Sequence, residues 1–484
     1  MNHRINMWNV HNSYLIFLLI LLLFVCNANR DPVLLVAGDY DLNVVITKDT
    51  KLFFSGTREK GNQVYLDIKE NGTRLLLLEQ GQETVLKSKQ REVKYPCQIR
   101  ILKNGSYFRF WIGAMTEWIR GPLGEWKGVY EPLENEIYAA DHTSVEKGRF
   151  DVKEREWLKQ TDRDVVRYGP EGSYYEQQVI PGAILEYNNT YYMYFMAGMA
   201  GNEEGSSRRT VGLAISDDLI NWTVKPEPVL SYKDTPYDNI YVNGAVVTPD
   251  HKIALMFSAQ QFPEWKGFML AIADQPEGKF IPYNRNPVYK HPLAAHEFDL
   301  VDMKEHPVHY DGADYRYLFF YAGFTRGNKT GDKGYLLYSN DLINWVNRSD
   351  NPVFKPETED SWDSRHVRPR SLTRIGAYWY LWYEGVAGGW TPPNSQSIIW
   401  SDVIGLARSQ DFVHWEYHPR NPVLSGVGQS SSHCGHSWVG WPRMVIKENT
   451  GYVFFCGDQD GKVSTSYRTI HLDSLTDWES DIKN

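Results

Sequence analysis

Cysteine is scarce, with four in 484 residues. Cys26 lies in an apolar leader, which leaves Cys97, Cys434 and Cys456. An odd number excludes a complete disulfide framework. Cys434 and Cys456 flank one expected strand and could pair; buried free thiols are the alternative. No CxxC or Cys/His finger spacing occurs, so no structural zinc is signalled. A basic excess is missing too. Lys+Arg total 51 against 60 Asp+Glu, a formal net charge of −9, which argues against a general nucleic-acid coat. After residue 28 no apolar run is long enough to cross a bilayer, so no integral membrane span is expected. The apolar run 14–25 follows Arg4 and precedes Cys26-Asn27-Ala28. It reads as a secretory signal over 1–28, too short for a comfortable span. The expected location is secreted or periplasmic. The alternative, a lipid anchor at Cys26, is disfavoured because Val25 is a poor neighbour for lipid attachment.

Aromatic residues are abundant, 14% of the chain. Such loads suit β-rich folds and sugar-stacking surfaces. Over residues 30–150, short alternating runs such as YDLNVVIT, QVYLDIKE and SYFRFWIG are separated by turn pairs such as Asn71-Gly72. Period-two runs at this spacing predict antiparallel sheet, a β-sandwich domain. The charged stretch 145–170 would link or wrap the domains.

The rest of the chain repeats itself. SDDLINW (216–222), SNDLINW (339–345), SQDFVHW (409–415) and DSLTDW (473–478) are four similar turns. Three are followed by a Pro-Val exit, at Pro228, Pro352 and Pro422, and Asn286-Pro287-Val288 supplies one for a unit whose turn has diverged. A second marker opens an apolar strand at Pro181, Gly244, Pro307, Pro369 and Pro442, spaced by 63, 63, 62 and 73 residues. A fixed period of this size means a repeat architecture. Several strands per unit and five units predict a five-bladed β-propeller over 165–484, so the whole chain is expected to be all-β. The turn Asp residues suit Asx turns, and the turn Trp residues suit the gaps between blades.

The S-x-D-x-x-x-W turn, the following NPV and the Pro-opened strand resemble the five-bladed glycosidase superfamily, which includes glycoside hydrolase families 32, 43, 117 and 130. The N-terminal pattern resembles the concanavalin-like sandwiches attached to carbohydrate-active enzymes. The resemblance implies a sugar site in the funnel where the innermost strands meet. It also implies three catalytic carboxylates on the first three blades, as in family 43. Here the sequence departs from that family, because Ile180 rather than Asp precedes the first Pro.

With the five markers as a ruler, the funnel positions are Ile180, Asn243, His306, Arg368 and Trp441, then Gln178, Tyr241, Lys304, His366 and Val439. None is a carboxylate. His306, Lys304, His366, Arg368, Arg370 and Tyr241 would instead form a cationic pocket in an acidic protein. That pattern points to an anionic ligand, such as a uronate or sulfated sugar. Arg368 is suited to grip a carboxylate through two hydrogen bonds. The expected reaction is β-elimination on an acidic, ulvan-like oligosaccharide, by a lyase or dehydratase leaving an unsaturated uronate end. His306 and Tyr241 would be base and acid in either order, with His366 and His436 in reserve. Arg370, Asn243, Gln178, His436 and Trp441 would bind substrate. The alternative is hydrolysis of the family 43 type with displaced carboxylates, Glu176, Asp238 and Asp302. Asp299, Glu305 and Asp363 are further acids nearby. A third alternative is a non-catalytic glycan-binding propeller. No cofactor is expected, although His433 and His436 could hold a metal with His306 or His366.

Overall fold

The computed structural model describes residues 34–478 apart from internal stretches, the longest being 121–134, 155–163, 199–207, 325–331, 387–402 and 425–438. The leader, Cys434, His433, His436 and Trp438 lie outside the described residues. Contacts divide the chain into two units. One comprises Met1–Ala37, Leu42–Ile99 and Pro132–Val152, the other Gly38–Asp41, Arg100–Glu131 and Lys153–Asn484.

The expected N-terminal strands form two sheets. A six-stranded sheet runs in the order Leu34–Val36, Asn135–Ala139, Thr50–Thr57, Asn62–Lys69, Gly72–Glu79, Gln82–Lys89, all antiparallel. A five-stranded sheet takes Asp151–Glu154, Tyr40–Ile46, Cys97–Asn104, Tyr107–Ile112 and Met115–Arg120. Stacked Phe53, Tyr65 and Tyr138 knit the six-stranded sheet together, with centroids 4.6 and 4.5 Å apart.

The second unit is a ring of five blades. Their inner strands are Gln178–Tyr187, Asn239–Val247, Ala294–Asp302, His366–Ile375 and Val439–Lys447, for blades I to V. Blades I to IV each add three antiparallel strands outward. Each inner strand contacts the next, and that of blade V contacts that of blade I, so the ring closes. Blade V takes its outermost strand, Asp164–Val166, from the start of the propeller sequence; it pairs with Lys462–His471. Ser466 Oγ donates to Asp164 Oδ1 at 2.6 Å across this seam.

The repeated residues have local reasons. In SDDLINW, the amides of Ile220 and Asn221 donate to Asp218 Oδ1 at 2.8 and 2.7 Å, and Leu219 N donates to Ser216 Oγ at 2.9 Å. The Trp222 indole donates to Leu219 O at 3.0 Å. The same bonds recur around Asp341 and Asp411. Trp222 meets Phe454 of blade V at 5.7 Å, and Trp415 meets Phe320 of blade III at 5.7 Å, so these indoles fill gaps between blades. The Asn of each NPV exit lays its amide along the third strand. Asn286, Asn351 and Asn421 accept from and donate to the backbone of Leu270, Leu336 and Leu406 at 2.8–2.9 Å. Each amide thus satisfies a strand N–H and C=O that the short fourth strand leaves over.

One marker is displaced. Blade III enters the ring at Ala294, and Pro307 instead opens an inserted hairpin, Val308–Tyr310 with Ala313–Tyr315. The ruler therefore places Lys304 and His306 at the wrong end of their strand.

Candidate active site

All five inner strands start at one face of the ring and end at the other. Each carries a register shift near its start, between Pro181/Ala183, Val242/Gly244, Ala295/Glu297, Pro369/Ser371 and Gly440/Arg443. A bulge leaves one residue unpaired and re-aims its side chain. Asn243, Arg370 and Trp441 occupy such positions; the side chain of Asn243 is outside what is described.

On the blade IV side, Arg368 Nε donates to Asp332 Oδ2 at 2.6 Å, and its Nη1 lies 3.9 Å from Glu384 Oε2. Arg370 and Glu384 are fully buried and paired at 2.5 Å. His366 Nδ1 lies 3.0 Å from Asp332 N and 3.2 Å from Asp332 Oδ2, so Asp332 holds the ring on that side. The cationic pocket expected from the sequence is in fact an alternation of arginines with Asp332 and Glu384. Glu384 sits on the second strand of blade IV and Asp332 just before the third strand of blade III, so both escaped a ruler laid along inner strands only.

On the blade I–II side, Gln178 and Glu176 are buried, and Glu176 accepts from Gly172 N at 2.6 Å. Asp238 is half-buried just before the blade II strand. Arg209 Nη1 donates to the Tyr241 hydroxyl at 2.5 Å, and Tyr241 donates to Gln260 Oε1 at 3.3 Å. Trp265 lies 4.9 Å from the Tyr241 ring.

Deeper along the axis, Asp299 of blade III accepts from Leu372 N at 2.7 Å and pairs with Arg443 of blade V at 3.3 Å. Burial pushes its carboxyl up to about 6, against the opposing pull of Arg443 and the Leu372 amide. Burial likewise brings Arg443 down to about 10. A cavity of about 300 Å³ continues from Asp299 and Arg443 between aliphatic walls such as Leu185, Val246 and Leu372, out to Asp302 and Lys304.

Three expected residues fall at that far end. Asp302 is held by Arg316 at 2.7 Å. Lys304 is exposed and pairs with Glu305 at 3.5 Å, and His306 stands on an exposed turn. None of them joins Tyr241, His366 and Arg368 at the strand starts, because each lies at or beyond the exit end of its strand. His306 is thus not beside His366, and no group of His, Cys, Asp or Glu among the described residues is arranged to hold a metal ion. Cys456 is buried, and its suggested partner Cys434 lies outside the described residues. Asp363 is buried too, but between blades rather than at the axis; Tyr383 donates to it at 3.0 Å.

A closed ring of five blades around a polar, arginine- and carboxylate-lined axis is a five-bladed β-propeller. Residues 180–350 match the family model "Glycosyl hydrolases family 32 N-terminal domain". Among solved structures, a β-1,2-mannobiose phosphorylase from Listeria innocua aligns at TM-score 0.50 and 12% identity, over 67% of this chain and 99% of that one. A thermostable family-43 glycoside hydrolase aligns at 0.47 and 15%, over 63% and 92%. A glycosyl hydrolase from Bacteroides ovatus aligns at 0.47 and 15%, over 65% and 95%. No protein of curated function matches the sequence. Among the described residues no helix is long and apolar enough to cross a membrane.

Proposed function

We propose that the chain is a carbohydrate-active enzyme that breaks a glycosidic bond in the axial funnel, in the manner of a glycoside hydrolase or phosphorylase. The observation that carries this is Asp299. Its carboxyl faces the axis, its side chain keeps 15% exposure, and burial holds it at about 6. A carboxyl protonated in mildly acidic medium can give its proton to a leaving oxygen. Glu176 and Asp238, just before the inner strands of blades I and II, are the other candidate carboxylates. Asp299 thus stands in for Asp302 in the displaced set, one acid from each of the first three blades. The apolar leader supports action outside the cytoplasm.

A second reading keeps elimination on a uronate. Arg209 donating to Tyr241 supports it, since the guanidinium offsets the charge left when that phenol gives up its proton. His366 is the candidate donor for the leaving oxygen in this reading. Arg368 is committed to Asp332 and Glu384, which weakens its use as a substrate clamp.

Incubation with xylo- and arabino-oligosaccharides, β-1,2-mannobiose with and without phosphate, and oligoglucuronates separates the readings. Glycosidic cleavage releases new reducing ends or sugar phosphate, and Asp299→Asn lowers the rate at least about 100-fold. Elimination produces the ultraviolet absorbance of an unsaturated uronate and depends on Tyr241 instead. A chain that binds but converts none of these is the non-catalytic propeller.

A further inference from the structure

Trp441 holds a backbone conformation that a bulky residue seldom adopts. Its φ is +51°, in the left-handed region. Such a conformation is unfavourable and persists only where the surroundings over-determine it. Two groups do so here. Glu384 Oε1, on blade IV, accepts the Trp441 backbone N–H in a short hydrogen bond. Arg370, also on blade IV, lays its guanidinium over the indole at 4.3 Å from the centroid. Arg370 and Glu384 are themselves tied at 2.5 Å and have no exposure. A buried ion pair of this kind is seldom kept for stability, because desolvation offsets the attraction. What it provides here is a fixed indole. The ring also packs against a core cluster drawn from blades I, II and V, including Ile180, Val242 and Cys456. Yet Trp441 remains partly exposed. It sits on the inner strand of blade V within the bulge, two residues before Arg443, which pairs with Asp299.

We propose that Trp441 is an aromatic side wall of the funnel, binding the C–H face of a sugar ring, and that Arg370 and Glu384 are positioning residues that lock it there. The inference rests on the funnel being the sugar site. It concerns binding, whereas the bond-breaking role of Asp299 concerns turnover, so the two can fail separately. Stacking on an indole favours a sugar whose axial hydrogens share one face, as in β-xylosides and β-glucuronides, and is indifferent to charge at C5.

The test uses the full chain with ¹⁵N-labelled indoles and three probes, methyl β-D-xyloside, methyl β-D-mannoside and methyl β-D-glucuronide. The Trp441 indole resonance is assigned as the one missing from Trp441→Phe. Expected are a shift of that resonance with at least one probe, retention of binding in Trp441→Phe, and binding about tenfold weaker in Trp441→Ala. Arg370→Lys preserves the charge opposite Glu384 but removes the planar stack, so it should weaken binding while thermal unfolding stays cooperative. If Trp441→Ala does not fold, the wild-type indole shift decides alone. The proposal is overturned if the probes move other indoles but not that of Trp441, if none of the three binds, or if Trp441→Ala binds like wild type. Binding that survives in Asp299→Asn without turnover leaves this proposal standing.

Discussion

Two buried carboxyls behave differently from ordinary aspartates. Asp299 is held at about 6 by burial at the axis. As a general acid it must be protonated, so the rate should fall as pH rises through about 6, and kcat against pH reads that limb. Asp363 is raised to about 7, first by burial and further by the neighbouring Glu357. Its folded value exceeds that of the unfolded chain, near 3.9. The folded state therefore binds the proton more tightly. The resulting stability is complete below about pH 4 and is lost as pH rises toward 7. The melting temperature of wild type should decline over that window, and Asp363→Asn should flatten the decline. An equal slope in both proteins would contradict the assignment.

The repeated turn is an element whose parts can be removed singly. Asp341 caps the amides of Ile343 and Asn344 at 2.9 and 2.7 Å. By analogy with helix N-caps, Asp341→Ala should cost roughly 1 kcal/mol. Asn421 is fully buried and bonds both backbone groups of Leu406. Asn421→Leu leaves both unsatisfied and should cost about 2–4 kcal/mol. Urea titration distinguishes the two; a smaller loss at Asn421 would argue against the ladder role of the NPV asparagine.

These elements were readable in the sequence because their chemistry is local. A Ser, an Asp two residues on and a Trp four beyond that close one turn with their own backbone. The blade count followed from repetition of that turn and of the NPV exit. The site was less readable, for two physical reasons. Blade III inserts a hairpin after its inner strand, and Pro307, which opens it, happens to keep the period of 63. Lys304 and His306 were carried to the wrong face by that coincidence. The partners of the funnel arginines, Glu384 on a second strand and Asp332 just before a third, lie off the inner strands, so only three-dimensional pairing connects them. Tyr241, His366, Arg368 and Trp441 lie near the starts of their inner strands because Gly244, Pro369 and Pro442 mark the register shifts of those strands.

At the scale of the molecule, ring closure depends on a three-residue strand from outside the last blade's own sequence. Asp164 takes a hydrogen bond from Ser466, and Val166 is buried beside Phe454 and Tyr467 in one cluster. Val166→Asp puts a charge into that seam and should destabilise the propeller by about 3 kcal/mol or more. The loss would appear as an earlier denaturation midpoint. An unchanged midpoint would mean that the seam adds little to closure.

The most direct measurement is the initial rate of new reducing ends or sugar phosphate from the oligosaccharide set, for wild type and Asp299→Asn, between pH 4 and 8. The account predicts a wild-type rate that declines above about pH 6 and an Asp299→Asn rate lowered at least about 100-fold with that limb abolished. An Asp299→Asn protein that cleaves as fast as wild type, with the same pH profile, would contradict it.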